Sequence, residues 1–340
     1  MNLESIKPFN ELYYKNCLYN SLFSIIKFYK RSINPLFSYD LFYYDVSIKN
    51  SDNSLYNIVS ILETKKPEDI VVNDIGLQFN KVVQANNIVV RINNAVKSNV
   101  PSIIWVDAFY LPYRNDTYKR RHLPHALLVY GVSPCMKYYK IIDHDKFETL
   151  TYEKRSLAVD ELSIAYEGYK NNFSDFNLDT FYEIWQGNTK AVSELYCYDT
   201  YINNYINKAD FIYNSISSIK KLEKYLIEIY SQESLVSLHV ENILLKLNFA
   251  IELKRAEKFV QQRFNLVDSV IKYLDNSLEN LRHSRDILAK YYYSRKYNKE
   301  NLINSINFSK LEELEKYRVE EIMSNYFSGN IIEQKKIISF

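Results

Sequence analysis

Cysteine is scarce, with three among 340 residues, widely spaced and odd in number. That excludes a disulfide framework and any zinc site built on a Cys pair. Neither sign of charge prevails: 43 basic and 41 acidic residues leave a net charge of +2. A surface dominated by nucleic-acid or membrane binding is not expected from this balance, so a charged partner would have to be met by a local patch. No stretch of about eighteen apolar residues runs unbroken. The opening Met1-Asn2-Leu3-Glu4-Ser5-Ile6-Lys7-Pro8 lacks the basic start and apolar stretch of a leader, so the expected location is the cytoplasm. Only 5 Gly and 7 Pro are present, and none cluster into a linker. What remains is a chain that is 47% hydrophobic and rich in Tyr, Asn, Ile and Lys, ample for a buried core.

The pattern changes near residue 150. Before it, β-branched runs at Asn87 to Arg91, Ser102 to Asp107, His125 to Gly131, Tyr138 to Asp143 and Phe147 to Thr151 predict strands between helical stretches. After it, Ile202, Tyr205, Ile206, Ala209, Ile212, Tyr213, Ile216 and Ile219 recur at helical steps, and a longer run from Leu235 through Ile271 to Tyr297 does the same. Glu252, Lys254, Arg255, Glu257 and Lys258 on that run read as a solvated helix face. Asn298 to Asn304 and the residues after Ser328 read as a loop and a tail. The expected fold is therefore α+β, with residues 1–152 as a catalytic domain and 153–340 as an α-helical bundle or cap packed on it.

Three residues at element boundaries carry chemistry. Cys17 heads the amphipathic run Cys17 to Phe28, where Leu18, Leu22, Ile25 and Ile26 lie at helical spacing. His125 heads one strand, and Asp143 closes the next. A thiolate is favoured by a helix N-terminus and by an imidazolium, and an acid fixes the tautomer of the histidine. Cys, His and Asp in this chain order match a papain-like nucleophilic site. Cys135 and Cys197 are instead expected to be small buried hydrophobes.

Between Cys17 and His125 lie Asp107 at a strand end, Tyr110-Leu111-Pro112-Tyr113, and the pair His122 and His125. Together with Gly131 and Asp143, these motifs resemble the N-terminal domain of the butirosin biosynthesis protein H family, over roughly residues 10 to 150. The resemblance implies a papain-like fold that moves an acyl group from a carrier-protein thioester to an amine in antibiotic assembly. Its amide-forming member from closthioamide assembly is similar in kind. Carried over, Cys17 is the nucleophile, His125 the base and Asp143 its orienter. The implied partners are an acyl or peptidyl carrier protein, which supplies the phosphopantetheine arm, and a small amine acceptor. No cofactor of the chain's own is implied.

Accessory roles follow less directly. Asp107, Tyr110, Tyr113 and His122 are candidates for substrate binding, and His122 is an alternative base to His125. Lys119, Arg120 and Arg121 form a basic cluster that suits either carrier docking or an ordinary solvated loop. Where papain-like sites often place an oxyanion-donating Gln, about six residues before the Cys, this chain has Glu11, which cannot donate when ionised. Asn10, Asn16 or the backbone N–H of Cys17 would then have to serve. The same triad would also suit a thioesterase or a cysteine peptidase or amidase. A metal reading would use His122, His125 and His144 with Asp143 or Asp145, without a helical His-Glu-x-x-His.

Overall fold

The computed structural model describes residues 2–146, 150–173 and 179–337, with side chains described through Phe327. In chain order its helices are α1 (Cys17–Phe28), α2 (Asn34–Phe37), α3 (Pro67–Ile70), α4 (Ile88–Lys97), α5 (Val159–Asn172), α6 (Glu194–Asn207), α7 (Ala209–Ser215), α8 (Ile219–Tyr230), α9 (Glu233–Arg263), α10 (Asp268–Ser294), α11 (Lys299–Asn304) and α12 (Phe308–Ile337). The strands are β1 (Asp40–Ile48), β2 (Leu55–Glu63), β3 (Leu77–Val82), β4 (Ser102–Asp107), β5 (Pro124–Val132), β6 (Tyr138–Asp143), β7 (Glu153–Ala158) and β8 (Phe181–Gln186). The chain is mixed α+β and divides into two compact units, Met1–Leu36 with Lys65–Ser193, and Phe37–Thr64 with Glu194–Phe340. The units do not divide at residue 152: β7 and β8 complete the first unit's sheet, α5 packs against β4, and the β1–β2 hairpin groups with the later helices.

The first unit holds a six-stranded antiparallel sheet in the order β3-β8-β4-β5-β6-β7. From His125 to Gly131 every residue of β5 is buried, as suits a central strand covered on both faces. Ile88, Ile92 and Ala95 of α4 and Leu162, Ala165 and Tyr166 of α5 join Ile104, Val106, Leu127, Val129 and Ile141 in one core cluster. Each such large apolar side chain contributes about 1.5–3 kcal/mol by leaving water. Helix α1 packs against β5 and β4. Antiparallel pairing of β5 with β6, Leu128 opposite Ile142, brings the first residues of β5 beside the last of β6. That is what carries His125 to Asp143.

Several local expectations change. The run Asn87 to Arg91 is the start of α4, because Asn87 caps it by accepting from the Val90 N–H and the apolar residues follow a helical period. Of the strand expected at Phe147 to Thr151, residues 147–149 lie outside the described residues, and the next strand, β7, begins at Glu153. Segment Asn298 to Asn304 is a capped helix rather than a loop, and α12 continues as helix past Ser328. The long run from Leu235 to Tyr297 is two helices, α9 and α10, parted at a turn where Asn265 takes φ 51°.

The second unit pairs β1 with β2 in an antiparallel hairpin and adds α6 through α12. Its interior holds an ionic network. Lys254 bonds Glu257 at 2.7 Å and Glu315 at 2.8 Å, and Arg318 bonds Glu257 at 2.7 Å and Glu315 at 2.9 Å. Tyr44 donates to Glu315 at 3.1 Å. Lys254 and Glu257 are each 1% exposed, so the solvated face expected there is corrected for these two. Two cations balance two carboxylates, which is what makes such burial tolerable. On length and composition alone α9 could cross a membrane, yet its Lys254, Glu257 and Gln261 are buried within this unit.

Candidate active site

Cys17 is the first residue of α1, and the chain enters it through a forced turn. Lys15 takes φ 55°, the Asn16 N–H bonds the Tyr14 carbonyl at 2.6 Å, and Asn16 itself is extended. The Asn16 side-chain oxygen accepts from the Leu18 N–H at 3.0 Å and so caps the helix. The N–H of Cys17 thereby lies among the helix's first N–H groups, which have no intrahelical partner. The thiol is 8% exposed, and its Sγ accepts from the Ala126 N–H at 3.1 Å. Cys17 and β5 are thus joined at the residue after His125.

His125 is buried, and its Nε2 lies 2.7 Å from Asp143 Oδ1. Because Asp143 is ionised, Nε2 carries the proton in that bond. Asp143 accepts further bonds from the His144 N–H at 2.8 Å and from the Tyr113 hydroxyl. Burial alone would raise Asp143, but the charge and hydrogen bond of His125, with the Arg114 charge beside them, hold it far below the usual carboxylate range. For His125, burial pulls down, but attraction to Asp143 and Cys17 outweighs it and lifts the pKa to about 9. The imidazolium is therefore the resting form at neutral pH.

Arg114 Nη1 stands 3.3 Å from His125 Nε2. Both nitrogens are donors, so this approach is charge proximity beside Asp143 rather than a hydrogen bond. The guanidinium is fully buried and held by Asp116 through Nε and Nη2, each at 3.1 Å. His144 stacks on Tyr152 at 4.5 Å and lies 5.0 Å from the His125 ring, and burial drives its pKa down to about 3, so it stays neutral.

The remaining sequence candidates are placed differently. Asp107 is fully buried and accepts from the Phe109 N–H at 3.0 Å, the Leu123 N–H at 3.2 Å, Asn172 at 2.8 Å and His122 Nδ1 at 2.6 Å. A carboxylate so occupied organises a turn and is not open to an amine. His122 stacks on Phe109 at 4.3 Å and pairs with Asp107, in a group separate from Asp143. Tyr113 turns to Asp143, and Tyr110 lies against Gly168 of α5. Asn10 bonds both the N–H and the carbonyl of Tyr152, each at 2.9 Å, and Glu11 is paired with Lys27. Asn10 is thus occupied on both its polar atoms, and the Asn16 oxygen is the helix cap. Lys119, Arg120 and Arg121 are exposed. Cys197 is buried as expected, whereas Cys135 is exposed in the β5–β6 turn.

Of the metal set, His125, Asp143 and His144 do converge, with ligand atoms within 4.8 Å. His122 is held elsewhere by Asp107, and Asp145 accepts from Thr151 at 2.9 Å. The Arg114 guanidinium beside His125 opposes a further cation at that nitrogen. Sequence reasoning missed Arg114 and Tyr152, and it considered His144 only as a metal ligand. Arg114 directly follows the Tyr-Leu-Pro-Tyr element and His144 directly follows Asp143, but nothing in the local pattern marks them as buried.

Residues 41–144 match the model of the family described as butirosin biosynthesis protein H, N-terminal. This bears out the resemblance drawn from the Tyr-Leu-Pro-Tyr element and the His-x-x-His pair. The matched stretch contains Tyr113, Arg114, His125, Asp143 and His144, and begins after Cys17. No curated protein matches the chain.

Proposed function

We propose, on the premise that residues 41–144 are of the butirosin biosynthesis protein H type, that the chain is a biosynthetic acyltransferase with a papain-like Cys17–His125–Asp143 site. The observation that carries this is the seating of His125, bonded to Asp143 through Nε2, beside Cys17, whose sulfur accepts from the very next backbone N–H. Such a pairing is what activates a thiol as a nucleophile.

In the first step the Cys17 thiolate attacks a carrier-bound thioester carbonyl. The C–S bond to Cys17 forms, the bond to the phosphopantetheine sulfur breaks, and the leaving thiolate takes the proton from the His125 imidazolium. In the second, an amine attacks the acyl-Cys17 carbonyl, neutral His125 accepts the amine proton, and the Cys17 thiolate leaves as the amide forms. Thioester exchange is nearly balanced, whereas amide formation is downhill, so the second step draws the first forward. The exposed Lys119, Arg120 and Arg121 suit an acidic carrier with its phosphate-bearing arm.

The test supplies an acylated carrier protein together with a panel of small amines and follows amide formation by mass spectrometry. Amide formation that is lost in Cys17→Ala and retained after metal chelation is the expected result. Release of free acid alone would make the chain a thioesterase. Activity that survives Cys17→Ala but not chelation would reverse the assignment of the nucleophile.

A further inference from the structure

An acyl-transfer site needs a donor aimed at the oxygen on which negative charge develops. The backbone N–H of Cys17 can be one, and of the side chains nearest in sequence Glu11 and Asn10 are engaged while Asn16 is turned to capping by its oxygen. Glu11 is paired with Lys27, the Asn16 oxygen caps α1, and Asn10 is bound on both its oxygen and its nitrogen to the backbone of Tyr152. The last of these is informative, because it pins the chain just ahead of α1 to the residue immediately before β7. The Tyr152 side chain is 2% exposed, its ring is fixed by stacking on His144 at 4.5 Å and 12°, and its hydroxyl finds no hydrogen-bond partner among the described residues. A buried hydroxyl left unpaired costs about 1–3 kcal/mol, so a rigidly held one calls for an occupant.

We infer that the Tyr152 hydroxyl is the side-chain donor of the oxyanion site opposite Cys17, in the place where papain-like sites use a glutamine, and that Asn10 is the positioning residue that holds it there. The inference rests on Cys17 being the nucleophile. Burial and the Cys17 and Asp143 charges push the phenol well above its ordinary pKa, so it keeps its proton and acts only as a donor. When the Cys17 thiolate adds to a carbonyl, the C–S bond forms and the carbonyl π pair moves to oxygen. That oxyanion accepts from Tyr152 O–H and Cys17 N–H. On collapse the pair returns, the leaving group departs with the proton of His125, and Tyr152 is unchanged. The hydroxyl of Tyr169 is also buried without a partner among the described residues, but its ring stacks on Trp105 of β4 and not on the histidine that follows Asp143.

Two probes separate this role from packing. Iodoacetamide alkylates a thiolate without forming an oxyanion, whereas p-nitrophenyl acetate acylates it through one. Tyr152→Phe is expected to alkylate at the wild-type rate with the wild-type pH profile but to acylate about 100–1,000-fold more slowly. Tyr169→Phe is expected to match wild type in both reactions. Equal slowing of both reactions in Tyr152→Phe, undiminished acylation, or a selective acylation loss in Tyr169→Phe would each overturn the assignment. So would a wild-type Cys17 that alkylates but is not acylated by the ester. If the ester acylates Cys17 and only carrier thioesters fail, the carrier reading falls while the test of Tyr152 still decides.

Discussion

At the scale of the residue, the centre of the site is one carboxylate serving several donors. Asp143 takes hydrogen bonds from His125, His144 and Tyr113 and stands beside Arg114. Asp143→Asn removes the largest attraction that holds the proton on His125, so the imidazole pKa should fall from about 9, because burial is then opposed by Cys17 alone. Titration of the His125 ring by NMR measures this, and the acylation rate should fall with it by about 10³–10⁴-fold, as in other triads that lose their acid. The same pair has a signature in stability. His125 is raised on folding, so its contribution is complete below about pH 6.5 and is lost as pH rises through about 9. Asp143 is depressed, so its contribution is present above about pH 4 and fades as pH falls below that. The stability gap between wild type and Asp143→Asn, read from urea melts, should therefore be largest near pH 5.5 and narrow by pH 9.5.

At the scale of the element, the sequence was legible where period and cap agree. The amphipathic run after Cys17, the buried runs of β4, β5 and β6, and the His125 and Asp143 boundaries were all readable. The β-branched Ile88-Val89-Val90 misled, since the Asn87 cap outweighs a modest strand preference. Strands β3 and β8 went unread because they pair with each other across about a hundred residues, and the β1–β2 hairpin because its connection, residues 49–54, has no glycine to mark it. The convergence of donors on Asp107 and of Tyr113 on Asp143 went unread for a related reason, as local text does not reveal which donors meet at a carboxylate. Contact between α5 and the turn after β4 is testable. A Cβ on Gly168 would sit 2.3 Å from Tyr110 Cε2 and 2.6 Å from its Cδ2. Gly168→Ala must displace that ring, and the gain in helix propensity, about 1 kcal/mol, is smaller than the overpacking cost of about 1–3 kcal/mol. A net loss of stability in thermal melts is expected, and a gain would show that the ring moves freely.

At the scale of the whole molecule, the chain divides into a sheet unit that contains every residue of the proposed chemistry and a helical unit built around buried charge. Glu315 is held below its usual range: burial raises it, but Lys254 and Arg318 outweigh that. Glu315→Gln leaves both cations short of a counter-charge in the interior and should cost about 3–5 kcal/mol in chemical denaturation. The alkylation rate of Cys17 under native conditions should not change, because none of the network's residues belongs to the sheet unit. The proposed chemistry itself stands on a single covalent event. Intact-mass analysis of the protein after incubation with an acylated carrier protein, without amine, should show one added acyl group that maps to Cys17 and is absent in Cys17→Ala. An unmodified protein that nevertheless transfers the acyl group, or an adduct on any other residue, would contradict the account.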